Sequence, residues 1–137
     1  MQNLELFVFK IKVKEDLISF ALPLEEIVGI QDITNKTIEQ MPDVTKSYIK
    51  GVMHLRDELY TVVDMNDYLY QGVSNSTTCL LVTINGVKLA LLVDEVHGLI
   101  EVPEDKKIEV SLILKDCKIK YHIYYNDTII SVLGIDV

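Results

Sequence analysis

Tryptophan is absent from the sequence, and cysteine occurs only at Cys79 and Cys117, which lie far apart and outside any Cys-x-x-Cys pair. This pattern gives no support to a disulfide-stabilised secreted scaffold or to a cysteine-based zinc site. We expect both cysteines to be reduced, buried and apolar in character. A disulfide between Cys79 and Cys117 is the alternative, because the sequence does not show how far apart the two residues lie in the fold.

Long apolar runs and a basic leader are missing as well. No run approaches the ~20 residues that a membrane-spanning helix requires, and the longest in the second half of the chain is Leu89 to Val93. The N-terminal segment MQNLELFVFK has no basic start and no uninterrupted apolar stretch, so it indicates a first strand rather than a secretory signal. We therefore expect a cytoplasmic protein without direct membrane insertion.

Basic residues are scarce. The chain carries 13 Lys and Arg against 21 Asp and Glu, which gives a formal net charge of −8. The basic residues that lie closest together are Lys10, Lys12 and Lys14. They alternate with apolar residues, which indicates the solvent-exposed face of one strand. No basic stripe is available to neutralise phosphates, which argues against binding of nucleic acid or of anionic membranes.

Catalytic signatures are missing too. The sequence contains no GxSxG nucleophile elbow, no P-loop and no dinucleotide-binding glycine pattern. His54, His97 and His122 share no metal-ligand spacing. Asp64 and Asp67 could together bind a cation, or Asp64 could cap a helical turn while Asp67 is solvated. We predict no enzyme activity, no metal site and no cofactor.

The dominant pattern is an alternation of apolar and polar residues with a period of two, which is typical of half-buried strands. Asn85–Gly86 and Asn126–Asp127 are hairpin signals, because these residues tolerate the positive φ of tight turns. The chain as a whole predicts about ten short strands in small barrels or a sandwich. The predicted apolar face of the first strand is formed by Phe7, Phe9, Ile11 and Val13.

Helical structure is predicted only as short turns. One turn is expected at Leu24 to Ile27, a second from Asp43 or Thr45 through Tyr48, and a third after Asp64 that ends at Gln71-Gly72. Residues 72–77 include the most linker-like stretch of the chain, and we predict a subdomain boundary there.

The stretch from Tyr48 to Met65, YIKGVMHLRDELYTVVDM, resembles the signature of the CheW-like family. That signature has an aromatic residue, Ile, a basic residue and Gly-Val, then Leu-Arg, then a strand ending in V-V-D-L. Three further segments agree with the family in the same order along the chain, and together the ordered set is fairly specific. They are LFVF at 6–9, FALPL at 20–24 with Ile27 and Ile30 after it, and LALLVDEV at 89–96.

The resemblance implies an all-β fold of two small, SH3-like, five-stranded barrels that share an apolar core, with one or two short helical turns. Residues 1–137 would then form a single CheW-like domain. It also implies a non-catalytic adaptor that couples chemoreceptors to a CheA-type histidine kinase. The implied partners are the regulatory domain of that kinase and the cytoplasmic tip of a chemoreceptor, with recruitment to receptor arrays at the membrane.

The resemblance also implies positions for partner binding. The family's arginine falls on Arg56 and its strand glycine on Gly51, and an apolar groove would suit a helical receptor tip. The residues that this assigns to partner binding are Arg56, Gly51, Ile27, Ile30, Val52 and Leu80. Arg56 could instead be a turn arginine paired with a neighbouring carboxylate, Asp57 or Glu58.

The sequence departs from the family pattern in places. Asp57 stands where the family has glycine after the arginine, and Gly29 stands where it has an acidic residue. The family usually continues into a C-terminal helix after the position of Val137, so some apolar surface could be bare. Two alternative functions stay open: a CheW-like scaffold for another kinase pathway, and a small-molecule-binding barrel with a closed polar pocket.

Overall fold

The computed structural model describes residues 2–42, 44–109 and 118–137. Hairpins dominate this part of the chain, as the period of two predicts. The strands are β1 (Asn3–Val13), β2 (Asp16–Pro23), β3 (Ile27–Asp32), β4 (Ile49–Leu55), β5 (Glu58–Asp64), β6 (Thr78–Ile84), β7 (Val87–Val93), β8 (Glu95–Pro103), β9 (Lys107–Glu109), β10 (Ile119–Tyr125) and β11 (Thr128–Leu133). Within the described ranges, helical structure is confined to α1 (Met65–Tyr70) and two 3₁₀ turns, Leu24–Glu26 and Glu104–Lys106.

These strands form two sheets. Sheet one has six strands in the order β8-β1-β2-β11-β10-β9, and sheet two has five in the order β3-β6-β7-β5-β4. Most neighbours are antiparallel, but β11 runs parallel to β2 and β5 runs parallel to β7. The predicted all-β fold of two SH3-like barrels is confirmed, with the three-residue β9 as a sixth strand in sheet one.

The core has three parts. Each sheet encloses its own apolar interior, and a third, larger cluster lies between the sheets and joins them. The interior of sheet one includes Leu6 and Val8, and the interior of sheet two includes Met53 and Tyr60. The shared core takes side chains from both sheets, so the predicted shared apolar core is confirmed. Phe9 and Ile11 of the predicted strand face lie fully buried in it.

The inner strands of sheet two are apolar on both faces. Along β6, Leu80 and Val82 point into the shared core, whereas Cys79 and Leu81 point into the interior of sheet two. This follows from the opposite directions of successive side chains in a strand. A strand buried on both faces is expected to show a continuous apolar run rather than an alternation. The run of apolar residues at 79–82 has this cause.

In the part of the chain that the structure describes, three two-residue hairpin turns have both central residues at positive φ, as type I′ turns require. They are Arg56 and Asp57 (φ 52° and 62°), Asn85 and Gly86 (52° and 80°), and Asn126 and Asp127 (48° and 62°). The last two confirm the sequence prediction. The first shows that Asp57 adopts a left-handed conformation of the kind that glycine adopts freely, which aspartate tolerates better than most residues.

Two sequence predictions need correction, and one lies outside the described residues. No helix runs through Tyr48; residues 44–46 are irregular and a turn leads directly into β4, while Asp43 is not described. The segment 72–77, predicted as a subdomain boundary, joins α1 to β6 within sheet two. The chain passes between the sheets instead at the first 3₁₀ turn and at Asp94. Cys117 lies outside the described residues.

Among the described residues, no helix is both long and apolar enough to cross a lipid bilayer.

Candidate partner-binding surface

Arg56 is the only arginine in the chain and sits at the tip of the β4–β5 hairpin. Its side chain is exposed, and its backbone φ of 52° is unusual for a residue with a Cβ. Such a conformation costs on the order of 1 kcal/mol and persists only where the surroundings fix it. The hairpin therefore fixes the backbone position from which the arginine side chain extends at the end of sheet two.

The guanidinium of Arg56 lies over Gly29 on β3. A Cβ placed on Gly29 would be 3.0 Å from Nη1 and 3.1 Å from Nη2 of Arg56. Strands β3 and β4 are the two opposite edges of sheet two, so this contact brings the edges together where the barrel closes. Gly29 leaves the space that the guanidinium occupies.

The positive charge of Arg56 has no internal counter-charge within the described part of the chain. No described carboxylate forms an ion pair with its guanidinium. Glu58, two residues along, pairs instead with Lys88 at 2.5 Å. The alternative in which Arg56 pairs with Asp57 or Glu58 is therefore not what the structure shows.

Strand β3 exposes two aliphatic side chains beside this contact. Val28 and Ile30 are each 46% exposed and alternate with Gly29 along the strand. Val28 and Ile30 thus lie on the face of β3 opposite to the one that Arg56 covers. We call these four residues, Val28, Gly29, Ile30 and Arg56, the β3 edge surface. Ile27 lies at the start of the strand, half-buried and packed against the shared core.

Gly51 and Val52 have a structural role on β4. The segment before β4 pairs with that strand through one antiparallel bridge, in which Glu39 and Val52 exchange two backbone hydrogen bonds of 2.9 and 2.8 Å. A Cβ on Gly51 would be 2.1 Å from the carbonyl oxygen of Glu39, and Gly51 has a φ of 142°. Gly51 is therefore buried against the backbone of this bridge, and Val52 is half-buried beside it.

Leu80 does not belong to an exposed groove. Its side chain is fully buried in the shared core, on the face of β6 that meets sheet one. The prediction that Leu80 contacts a partner is therefore wrong for this structure, because contact would require the two sheets to separate. Of the six predicted partner-binding residues, the structure leaves Arg56 and Ile30 exposed and places both at the β3 edge surface.

A cluster of polar side chains connects the two sheets through hydrogen bonds. Asp94, between β7 and β8, accepts a hydrogen bond from the backbone N–H of Lys12 at 2.6 Å and one from the Ser74 hydroxyl at 3.5 Å. Asp64 accepts from the N–H groups of Asn66 at 3.0 Å and Ser74 at 3.1 Å. The sequence gives no local signal for this role of Asp94, because its donor on β1 is distant along the chain.

Asp64 and Asp67 serve the structure and do not share a cation. Asp64 caps α1, as one of the two predicted alternatives states. The same alternative is wrong in predicting a solvated Asp67, which accepts a hydrogen bond from Ser47 and pairs with Lys50 at 3.5 Å. Within the described ranges, no group of three or more metal-ligating side chains occurs.

The perturbed titratable groups do not converge on one site. Burial raises the pKa of the Cys79 thiol to about 12, so this cysteine is a buried apolar side chain, as predicted. Burial raises the pKa of Tyr68, whose hydroxyl bonds the backbone of Asp136. Desolvation also raises the pKa of Glu26, although the nearby charge of Lys120 opposes the rise. These groups lie in different parts of the fold.

Comparison with solved structures identifies the architecture. The scaffolding protein TtCheW from Thermoanaerobacter tengcongensis matches with a TM-score of 0.81 at 19% sequence identity. The match covers 98% of this chain and 90% of that chain. At this level of identity it shows a common fold. The comparison with curated protein sequences gives no match.

The sequence itself matches the family model of the CheW-like domain over residues 5–118. That range contains the β4–β5 hairpin with Arg56 as well as β3 with Gly29 and Ile30. The match extends over most of the chain, and the resemblance noted in the sequence is confirmed. This chain belongs to the CheW-like domain family.

Proposed function

We propose that this chain is a non-catalytic adaptor of bacterial chemotaxis that couples chemoreceptors to a CheA-type histidine kinase. Its partners are the regulatory domain of the kinase and the cytoplasmic tip of a receptor, and it acts in the cytoplasm at receptor arrays. Membership of the CheW-like family over residues 5–118 is the observation that carries this proposal.

The surface of the protein supports a binding role. The β3 edge surface presents two half-exposed aliphatic side chains and an arginine without an internal counter-charge. The aliphatic side chains and the arginine lie on opposite faces of one edge strand, and exposed apolar side chains and arginine are both common at sites that bind another protein. Ile30 and Arg56 are the residues that we assign to partner contact.

The barrel interiors support a binding module over a small-molecule carrier. The interior of each barrel is filled by buried aliphatic and aromatic side chains, which leaves a packed core. A surface cleft of about 670 Å³ lies between the end of β1 and residues 72–76. Three of its polar residues already form hydrogen bonds within the protein, namely Asn66, Ser74 and Asp94. These residues therefore connect the two sheets and do not form a ligand site.

The proposal is tested by titrating the purified chain against two fragments from the same organism, the regulatory domain of a CheA-type kinase and a receptor tip. Saturable binding to both is expected. Ile30→Glu should weaken binding of at least one fragment more than tenfold, because it places a charge in an apolar contact. Ile129→Glu is the matched control, since Ile129 is 58% exposed on sheet one.

The outcomes separate the candidate functions. Equal effects of the two substitutions would contradict the assignment of the β3 edge surface. Failure of a folded chain to bind either fragment would contradict the chemotaxis role and favour a CheW-like scaffold in another kinase pathway.

A further inference from the structure

We propose that the open end of the sheet-one barrel binds a short-chain aliphatic carboxylate, with Lys10 holding the carboxylate group. The site is a pocket of about 110 Å³ above the packed interior of that barrel. Every described residue that lines it belongs to sheet one or to the turn between β10 and β11. The site is therefore separate from the β3 edge surface, which lies on sheet two.

The floor of the pocket is apolar and its wall is polar. Val8 on β1, Ile100 on β8 and Ile130 on β11 are buried and belong to the interior cluster of sheet one. Because side chains alternate along a strand, Lys10 points to the same side of β1 as Val8. Ser19 lies opposite Lys10 on β2, and both residues line the pocket. The inward-facing residues thus change from apolar to polar at this end of the barrel.

A bulge in β8 shapes the rim of the pocket. The register on β8 skips His97, since two successive residues of β1 pair with Gly98 and Val96. Bulges of this kind redirect a side chain and are common at the rims of barrels. His97 lines the pocket. Gly98 has a φ of 122°, and no atom of the described residues lies within 4 Å of a Cβ built on it. The bulge therefore places an imidazole at the rim beside an open entrance.

Lys10 supplies the charge that selects an anion. It is half-buried, whereas Lys12 and Lys14 are exposed and lie outside this pocket. In the described part of the chain, its ammonium group forms no hydrogen bond or ion pair. Glu95 lies opposite Lys10 in the pairing of β1 with β8, but it does not line the pocket. A partly desolvated ammonium group attracts an anion more strongly than one in bulk water does, because the effective dielectric constant is lower.

The remaining lining residues define the class of ligand. Among the described residues, no acidic side chain lines the pocket, although the chain carries 21 Asp and Glu. An apolar floor with one cation and a few polar groups at the rim suits a ligand with an aliphatic tail and one anionic head. A volume of about 110 Å³ limits that ligand to a few non-hydrogen atoms, as in propionate or butyrate. Inorganic phosphate would leave the apolar floor uncovered.

Titration of the ¹⁵N-labelled chain with sodium butyrate at constant ionic strength tests the site. The amide signals of Val8, Lys10, Gly98 and Asn126 should shift and saturate, while those of sheet two should not move. The expected Kd is millimolar, because a ligand of this size makes few contacts. Propionate should bind about fourfold more weakly, because it buries one methylene fewer. Butyramide has the same shape without the charge and should bind about tenfold more weakly.

Three variants separate the roles of charge and space. Lys10→Met keeps an apolar side chain of similar length and should weaken butyrate binding about tenfold or more, because it removes the charged hydrogen bond. Lys12→Met is the matched control, since Lys12 is an exposed lysine on the same strand outside the pocket, and it should leave binding unchanged. Ser19→Val should also weaken binding, because its larger side chain occupies space beside Lys10 while the charge stays. The amide spectrum of each variant shows whether it is folded.

Two results would overturn the site. Equal binding of butyrate and butyramide would show that the charge of the ligand is not recognised. Shifts that rise linearly without saturation, or that are the same in Lys10→Met and Lys12→Met, would show a general effect of salt on the surface. Neither result would bear on the adaptor function, which is measured by binding of the kinase and receptor fragments.

Discussion

Two glycines on the opposite edge strands of sheet two, Gly29 and Gly51, occupy their positions for different reasons. At Gly29 the atoms nearest to an added Cβ belong to the end of the Arg56 side chain, whereas at Gly51 a Cβ would meet the backbone of Glu39 at 2.1 Å. Gly51 also has a φ of 142°, which side chains rarely allow. The resemblance to the family placed Gly51 at the partner-binding site, but the structure gives it a role in folding. Residue type alone does not distinguish these roles.

Gly51→Ala is expected to lower the free energy of unfolding by about 2–4 kcal/mol, because the Cβ displaces the backbone of Glu39 from its bridge to Val52 and strains the backbone. Urea denaturation monitored by circular dichroism measures this. Gly86→Ala is the matched control, since Gly86 also has positive φ (80°) but has no atom in the way of a Cβ. That control should cost about 1 kcal/mol. Equal losses in the two variants would show that crowding at Gly51 is unimportant.

At the scale of single elements, α1 depends on one buried carboxylate. Asp64 is the only buried polar or charged side chain among the described residues, and its two oxygens accept from backbone N–H groups of α1 and of the following loop. A six-residue helix is too short to be stable alone. The cap therefore fixes both the start of α1 and the path of the chain to β6.

Asp64→Ala is expected to destabilise the protein by about 2 kcal/mol, because it removes the helix cap and leaves buried N–H groups without an acceptor. Thermal unfolding and amide exchange of Asn66 and Ser74 measure the effect. Asp67→Ala is the control within the same helix, since Asp67 forms only a partly exposed ion pair and a hydroxyl contact. A similar loss in the control would mean that helix charge matters and the cap does not.

The elements were predictable where a local signal marks both ends. The bounds of β6 and β7 follow from apolar runs on either side of Asn85–Gly86, and those of β10 and β11 follow in the same way from Asn126–Asp127. The three-residue β9 was missed, because its charged sequence follows a proline and its pairing depends on the distant β10. A helix through Tyr48 was wrongly predicted from a local capping signal that the β4 pairing overrides.

The contact at the candidate site could not be predicted from the sequence. Arg56 and Gly29 lie on opposite edges of sheet two, and only closure of the barrel brings them together. The burial of Leu80 was equally hidden, because an apolar residue in a two-faced strand can line either a groove or a core. The family resemblance supplied the correct fold but did not separate exposed residues from buried ones.

At the scale of the whole molecule, the shared core should make the two barrels unfold together. Leu91→Ala is expected to lower the free energy of unfolding by about 2–5 kcal/mol, because it opens a cavity in the cluster that joins the sheets. Hydrogen exchange should then accelerate equally in β6 and β10. Ile129→Ala is the exposed control and should cost less than about 1 kcal/mol. Separate transitions for the two sheets would contradict a joint core.

The order of strands also has a consequence for synthesis on the ribosome. Sheet two is built from one continuous stretch, β3 to β7, whereas sheet one is split between strands before and after it. During synthesis from the N-terminus, sheet two can therefore form first. Strands β1 and β2 still lack their neighbours β8 and β11 at that stage. During that interval the apolar face of sheet two that will join the shared core is uncovered. The nascent chain is then exposed to aggregation, and this is the stage at which a chaperone would act on it.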